Sequence, residues 1–240
     1  FPEPRRAINM PGAPGDADTE YFSSTFASSG TVTVGIWFKF EGSLPSAERI
    51  LELRDSAGTS GTSLRVQNRT NTKLRLLVNN GAAIDSSAVL TADTWFHLAV
   101  TVNKTAPETK VYLNGSLVLT NSSTTPTSDL GKLFLGGSVA NSNGFYSDCT
   151  LFNAVLSASE ISALYNGVGN INPTTHSQAA NLVSWWAFED NFYKDYFATP
   201  DTGTTIFDRV GSNNLQINSG TATFDLGRHH ASVFNESQSY

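Results

Sequence analysis

The sequence predicts an all-β chain, a two-sheet antiparallel sandwich with one short helix, and three observations carry that expectation. Apolar and polar residues alternate with period two in several runs. Turn residues recur between those runs. Ser, Thr, Asn and Gly are abundant, whereas charged residues make up only 15% of the chain. With 240 residues, 39% of them hydrophobic, the chain is long enough for one large sandwich, a size that all-β domains reach without splitting.

The run TVTVGIWFKF at 31–40 puts Val32, Val34, Ile36, Phe38 and Phe40 on one face and Thr31, Thr33, Gly35, Trp37 and Lys39 on the other. Similar strands follow at ILELR, at SLRVQ with Leu64 and Val66 inward, and at KLRLLV with Leu74, Leu76 and Val78 inward, ending in Asn79-Asn80-Gly81. In TWFHLAVTV, Phe96, Leu98, Val100 and Val102 share one face and Trp95, His97, Ala99 and Thr101 the other. KVYLNGSLVL carries Asn114-Gly115 between alternating residues, the pattern of a two-residue hairpin with both central residues at positive φ. The helix lies near 157–166, where Ser157 and Glu160 form a capping box, Ile161 and Leu164 supply an apolar stripe and Gly167 ends the run. A polar connector of 15 residues follows, GVGNINPTTHSQAAN, long by the usual priors for loops.

A net charge of −6, with 15 Lys plus Arg spread singly along the chain, predicts no basic stripe and argues against nucleic acid as a partner. The lone Cys149 allows no intrachain disulfide and reads as a small buried hydrophobe. No run approaches the length of a membrane span, and FPEPRRAINM has no signal-like apolar core, so no membrane anchor is expected. The opening Phe1 implies processing or an imposed boundary.

The strand TVTVGIWFKF, the pair TWFHLAVTV and KVYLNGSLV, the GKLFLGGS strand and GFYSDCTLFNAVLSASEISALYNG together resemble the laminin-G-like, concanavalin A-like jelly-roll domains. The resemblance covers Arg6 to about Gly167 and implies two facing antiparallel sheets, with mostly non-catalytic work in recognition and assembly. The expected organisation is a sandwich at 1–168, a connector at 169–180 and a terminal strand pair with tail at 181–240. NLVSWWAFEDN and TTIFDRVGSNNLQINSG are similar to the strand pair that usually opens such a domain, yet here they come last. A truncated second copy, a permuted order that completes its own sandwich, and donation to a neighbouring subunit all fit that displacement. The arrangement also resembles segments of structural proteins of tailed bacteriophages.

His97 invites a general-base reading, but no carboxylate or nucleophile accompanies it in sequence, so it is read as part of a wall. Glycosidases need two carboxylates across a sugar. Glu48 with Glu52, or Glu189 with Asp190, imitate such a pair only as strand-edge or turn residues, and the chain is expected not to be an enzyme. Calcium favours clusters of oxygen ligands; Asp190, Asp208 and Asn213 are the candidate set, while Asp208 and Gly211 read equally as turn formers. GDADTEY, with Asp16, Asp18 and Glu20, lacks the glycine and terminal glutamate of a calcium loop. Sugar recognition draws on aromatic faces, for which Phe145, Tyr146, Trp186, Tyr193 and Tyr196 are the candidates, with Phe197 beside them. Trp185 and Trp186 point to opposite faces, one to the core. Five sequons, at Asn68, Asn103, Asn114, Asn121 and Asn235, are what this Ser/Thr content produces by chance.

The expectation is a non-catalytic structural and recognition subunit on the outside of an assembly, a virion surface (capsid decoration or fibre) above all. It would associate with itself or with other structural subunits and bind surface glycans. The alternative is a secreted or cell-surface, calcium-dependent lectin module, and the third reading a polysaccharide-cleaving enzyme. The location is accordingly the virion surface or the extracellular space.

Overall fold

The computed structural model describes residues 7–10, 21–44, 48–69, 72–136, 144–167, 172–188, 201–202, 204–217 and 223–225. The strands are β1 (Ala7–Met10), β2 (Phe22–Ser29), β3 (Thr31–Phe40), β4 (Arg49–Arg54), β5 (Leu64–Arg69), β6 (Lys73–Val78), β7 (Ile84–Asp85) and β8 (Phe96–Asn103). They continue as β9 (Glu108–Leu113), β10 (Ser116–Asn121), β11 (Leu130–Leu135), β12 (Gly144–Phe152), β13 (Leu182–Trp186), β14 (Thr205–Ile206), β15 (Leu215–Ile217) and β16 (Thr223–Asp225), with one helix, α1 (Ala158–Asn166).

Among the described residues these strands form two antiparallel sheets of eight. The first runs β10-β9-β8-β3-β12-β1-β16, with β13 also on β12; the second runs β14-β15-β2-β11-β4-β5-β6-β7. The alternation read from sequence is the reason for the sandwich: Val32, Val34, Ile36 and Phe38 of β3, Leu98 and Val100 of β8, and Leu51, Leu53, Leu64, Val66, Leu74 and Leu76 of the second sheet all lie in one core, each 1% exposed or less. At the β9–β10 turn, Asn114 and Gly115 have φ of 51° and 75°, the backbone a two-residue hairpin needs.

Strand β12 organises the first sheet. One of its edges pairs with β3 along its length. The other edge is divided, with Gly144 to Tyr146 facing β1 and Cys149 to Phe152 facing β13. Between those halves the register against β3 shifts by one residue, so Asp148 and Cys149 together oppose Ile36. Asp148 takes φ of 44° there, the signature of a bulge that re-aims a strand. Cys149 is fully buried, and burial holds its thiol well above the ordinary range.

The C-terminal segment adds to both sheets of its own chain, β13 beside β12 and β15 beside β2. Its side chains Trp186, Phe188, Ile206 and Leu215, all 0% exposed, join the shared core. The Trp186 indole N–H donates to the Asn213 carbonyl at 2.8 Å, so one residue links the two sheets. Before β13, part of the predicted connector is packed structure: two short 3-10 turns (Pro173–Thr175 and Ala179–Asn181) lie beside α1, and Gln178 donates to Glu160 Oε1 at 2.6 Å. The capping box is present in both directions, with the Ser157 N–H donating to Glu160 and the Glu160 N–H donating to Ser157 Oγ.

Helix α1 buries Ile161 and Leu164 against Ala99, Tyr112, Phe152 and Leu182, on the outer face of the first sheet. Among the described residues, no helix covers the outer face of the second.

Trp186→Ala removes the largest fully buried side chain and its bond to Asn213. The expected cost is about 3–5 kcal/mol in denaturant unfolding. A loss below about 1 kcal/mol would mean that the terminal strands do not share this core.

Candidate functional site

The residues singled out as ligand contacts separate in the structure. Tyr146, 1% exposed, and Trp186, 0% exposed, point into the core and have no face to offer a ligand, which corrects that reading of both. The two adjacent tryptophans do point to opposite faces, Trp185 outward beside Trp37 and His97. Phe145 lies on the outer face of the first sheet with its ring 6.4 Å from that of Trp95. Lys39 Nζ sits 4.4 Å from the centroid of Phe145 and 5.4 Å from that of Trp95, a cation held between two rings. Asp190, Tyr193, Tyr196 and Phe197 lie outside the described residues.

Asp208 acts as a loop organiser. Its Oδ1 accepts from the backbone N–H of Trp185 and Val210, both at 3.0 Å, and its Oδ2 from that of Asn213 at 3.1 Å. Asn213 donates its amide to Ser184 Oγ at 2.8 Å. A Cβ on Gly211 would stand 2.8 Å from Asp208 Oδ2 and 2.9 Å from the Val183 carbonyl, so the turn needs glycine. With three N–H donors in place, this carboxylate has lone pairs already committed. Among the described residues, no three His, Cys, Asp or Glu side chains gather as a metal set would.

His97 is a wall residue, as the alternation implies. It lies 3% exposed, its ring 5.3 Å from that of Trp37 and 6.2 Å from that of Tyr165. Its Nδ1 has no hydrogen-bond partner among the described residues. Burial alone pushes the imidazole down to about 3, so the ring stays neutral in ordinary solution.

The outer face of the second sheet, over which no helix lies among the described residues, gathers what the sequence scatters, and here the expectation of no basic stripe is corrected. With Leu64, Val66, Leu74 and Leu76 turned inward, alternation turns Arg65, Gln67, Arg69, Lys73 and Arg75 outward, joined by Arg49 and Arg54 of β4 and Lys132 of β11. Seven of the chain's 15 basic residues therefore share one face. The register sets Gln67 between Arg49 and Arg75, while Arg65 and Arg69 flank it two residues away on β5. Four arginines thus ring one amide.

Two carboxylates temper this charge. Glu52, 1% exposed, accepts from Arg54 at 2.8 Å and from Arg49 at 3.2 Å. Asp85 binds Arg75 through two hydrogen bonds of 2.6 and 2.9 Å. At one side Tyr21 is part-exposed, its ring 5.3 Å from that of Phe134, which is itself 3% exposed, with the Arg54 guanidinium 4.5 Å and the Lys132 ammonium 5.2 Å from its centroid. The Arg49 guanidinium is lowered from its usual range by burial, with a counter-effect from Glu52 and a further lowering by the neighbouring Arg65 and Arg54. Glu48 does not join Glu52: the bulge between Arg49 and Leu51 leaves it opposite Asn68, on the inward side. There its Oε2 has no partner among the described residues, and burial raises the carboxyl to about 7.

The family model of the concanavalin A-like lectin/glucanases superfamily matches residues 15–162. No curated protein sequence matches the chain. Among solved structures, a candidate carbohydrate binding protein from Bacteroides ovatus ATCC 8483 is similar at 16% identity with a TM-score of 0.63, covering 92% of this chain. The chain spans 59% of the length of that protein. A heptameric SAP-like pentraxin from Limulus polyphemus is similar at 16% identity and a TM-score of 0.54, over 76% of this chain and 91% of the pentraxin. At these identities the likeness is one of fold.

The two buried, shifted groups act oppositely on stability. His97 has its folded value below the unfolded 6.5, so its contribution is intact above pH 6.5 and is lost as pH falls toward 3. His97→Gln removes that loss; between pH 7 and pH 4 stability relative to wild type improves by roughly 3 kcal/mol, read by denaturant unfolding at each pH. Glu48 has its folded value above the unfolded 4.5, so its cost grows from pH 4.5 to 7 and persists above. Glu48→Gln therefore stabilises at pH 8, by up to about 3 kcal/mol, and not at pH 4. Equal effects at both pH values would contradict either assignment.

Proposed function

The chain belongs to the concanavalin A-like lectin/glucanases superfamily, and from that membership we propose that it is a non-catalytic carbohydrate-recognition module that reads glycans on the outer face of its second sheet. The observation that carries this reading is the asymmetry of the sandwich: one outer face is packed under α1, while the other sets arginines, the part-exposed Arg65 and Arg69 among them, around Gln67, with the part-exposed Tyr21 at one side. Amide and guanidinium donors with an aromatic surface are what sugar hydroxyls and ring faces engage. The fold likeness to the Bacteroides protein supports the same reading.

A non-catalytic role agrees with the state of the carboxylates. Glu52 is tied to two arginines, and Glu48 lies on the opposite side of its sheet. Neither is free to serve as one of two groups flanking a glycosidic bond. Strands β13, β14 and β15 belong to the same folded unit as the sandwich in this reading, rather than forming a second copy. Calcium is not required by it, since Asp208 already holds three backbone donors.

Display on the outside of an assembly, in particular a phage-type particle, is a second reading. What favours it is the shortness of the terminal pairings, two residues in β14 and three in β15, which makes exchange between copies inexpensive. Light scattering tests it: larger species for the full chain support it, and a monomer at all concentrations contradicts it.

A glycan array probed with the full chain, with and without chelator, tests the primary reading. Binding that survives chelation and is reduced at least about tenfold by Tyr21→Ala combined with Gln67→Ala is expected. Absence of binding to every glycan, or binding abolished by chelator, contradicts it.

A further inference from the structure

We propose that the glycans read by this face are acidic, their carboxylate or sulfate groups held by the arginines around Gln67. The inference rests on the carbohydrate-recognition reading and adds the chemical class of the ligand. In a chain of net charge −6, seven cations on one face with two carboxylates among them are a concentrated exception. Packing guanidinium groups side by side against a sheet costs free energy unless an anion answers them. Glu52 answers Arg49 and Arg54, and Asp85 answers Arg75.

Arg65 and Arg69 are left with less. Arg65 donates to Asn80 Oδ1 at 3.0 Å, a neutral acceptor. The Nε of both Arg65 and Arg69 is buried and has no hydrogen-bond partner among the described residues. Both side chains are part-exposed, and the planar donors of a guanidinium suit a carboxylate or sulfate. The two stand four residues apart on β5, about 13 Å along the strand, with Gln67 midway between them, about 7 Å from each. A charged group with hydroxyls beside it therefore meets both kinds of donor at once. Lys73, exposed and opposite Arg69, extends the positive field at the rim.

An extended nucleic acid fits less well. Its dense phosphate charge would have to approach a chain of net charge −6, and the cationic area is only four strands wide, on the order of 15 Å. Tyr21, part-exposed beside the buried Phe134, lies at the edge of the cluster, where a sugar ring can rest.

The test is calorimetric titration of the full chain with oligogalacturonate beside the same oligomer fully methyl-esterified, and with a heparin oligosaccharide beside its desulfated, carboxyl-reduced form. Tight binding of an acidic member and weak or absent binding of its neutral twin is expected, with affinity falling as salt rises. Arg65→Gln with Arg69→Gln is expected to reduce that affinity at least about thirtyfold, while Arg65→Lys with Arg69→Lys, which keeps the charge and loses the planar fork, gives an intermediate loss. Unchanged melting of each variant guards against misfolding. Equal affinity for acidic and neutral twins, or unchanged binding in the Gln variant, overturns the inference and leaves carbohydrate recognition standing. No binding to any acidic glycan overturns the inference, and neutral glycans bound on the array then keep the recognition reading alive. Tighter binding to a single-stranded DNA oligonucleotide or to phosphatidylserine vesicles than to every acidic glycan also overturns it, since the face is then a general polyanion surface.

Discussion

The divided edge of β12 is the constraint on which the rest of the fold depends. Strand β3 takes one side of it, and the other side is shared between β1 and β13, which lie far apart in sequence. Both can pair only because the bulge at Asp148 and Cys149 breaks the register between the two halves. Beyond β13, the chain crosses to the second sheet, and Trp186 fills the core where the crossing begins, its indole anchored to the Asn213 carbonyl. The loop that carries Asn213 is in turn ordered by the Asp208 carboxylate, which also accepts the Trp185 N–H. Strand pairing, core filling and loop order are thus one connected arrangement.

From that arrangement comes the inequality of the two outer faces. On the first sheet, the outward residues of β8, β9 and β12 are apolar or aromatic enough to receive α1. Gly35 leaves room for the Thr150 hydroxyl and the His97 ring, both within 3.3 Å of where its Cβ would stand. That face is filled. On the second sheet the outward positions include six arginine and lysine residues of β4, β5 and β6 beside Gln67 and Glu52, which no apolar helix could cover without stranding charge. Among the described residues no core-forming helix covers that face, and its part-exposed Arg65 and Arg69 suit a hydrophilic ligand.

The legible parts of the molecule were those governed by neighbouring residues. Alternation in TVTVGIWFKF and KLRLLV, the Asn114-Gly115 turn and the Ser157–Glu160 box each depend on a few adjacent positions, and all appear as read. The cationic face was hidden for a different reason. Arg49, Arg65, Arg69 and Arg75 are isolated in sequence and meet only through the cross-strand registers of β4, β5 and β6. The signal was nevertheless present in principle, because once Leu64, Val66, Leu74 and Leu76 are assigned inward, the residues between them are assigned outward. Aromatics carried no such guide: Phe145 and Tyr146 are adjacent and chemically alike, yet one lies under Lys39 on the outer face and the other in the core.

The central claim is that the outer face of the second sheet is the glycan-binding surface. Hydroxyl-radical footprinting of the full chain with and without a glycan that it binds tests this at the level of single side chains. The account predicts protection at Tyr21, Arg65, Arg69 and Lys73, with Trp95 and Phe145 unaltered. Protection centred on Trp95 and Phe145, with the second sheet equally reactive in both states, would contradict it.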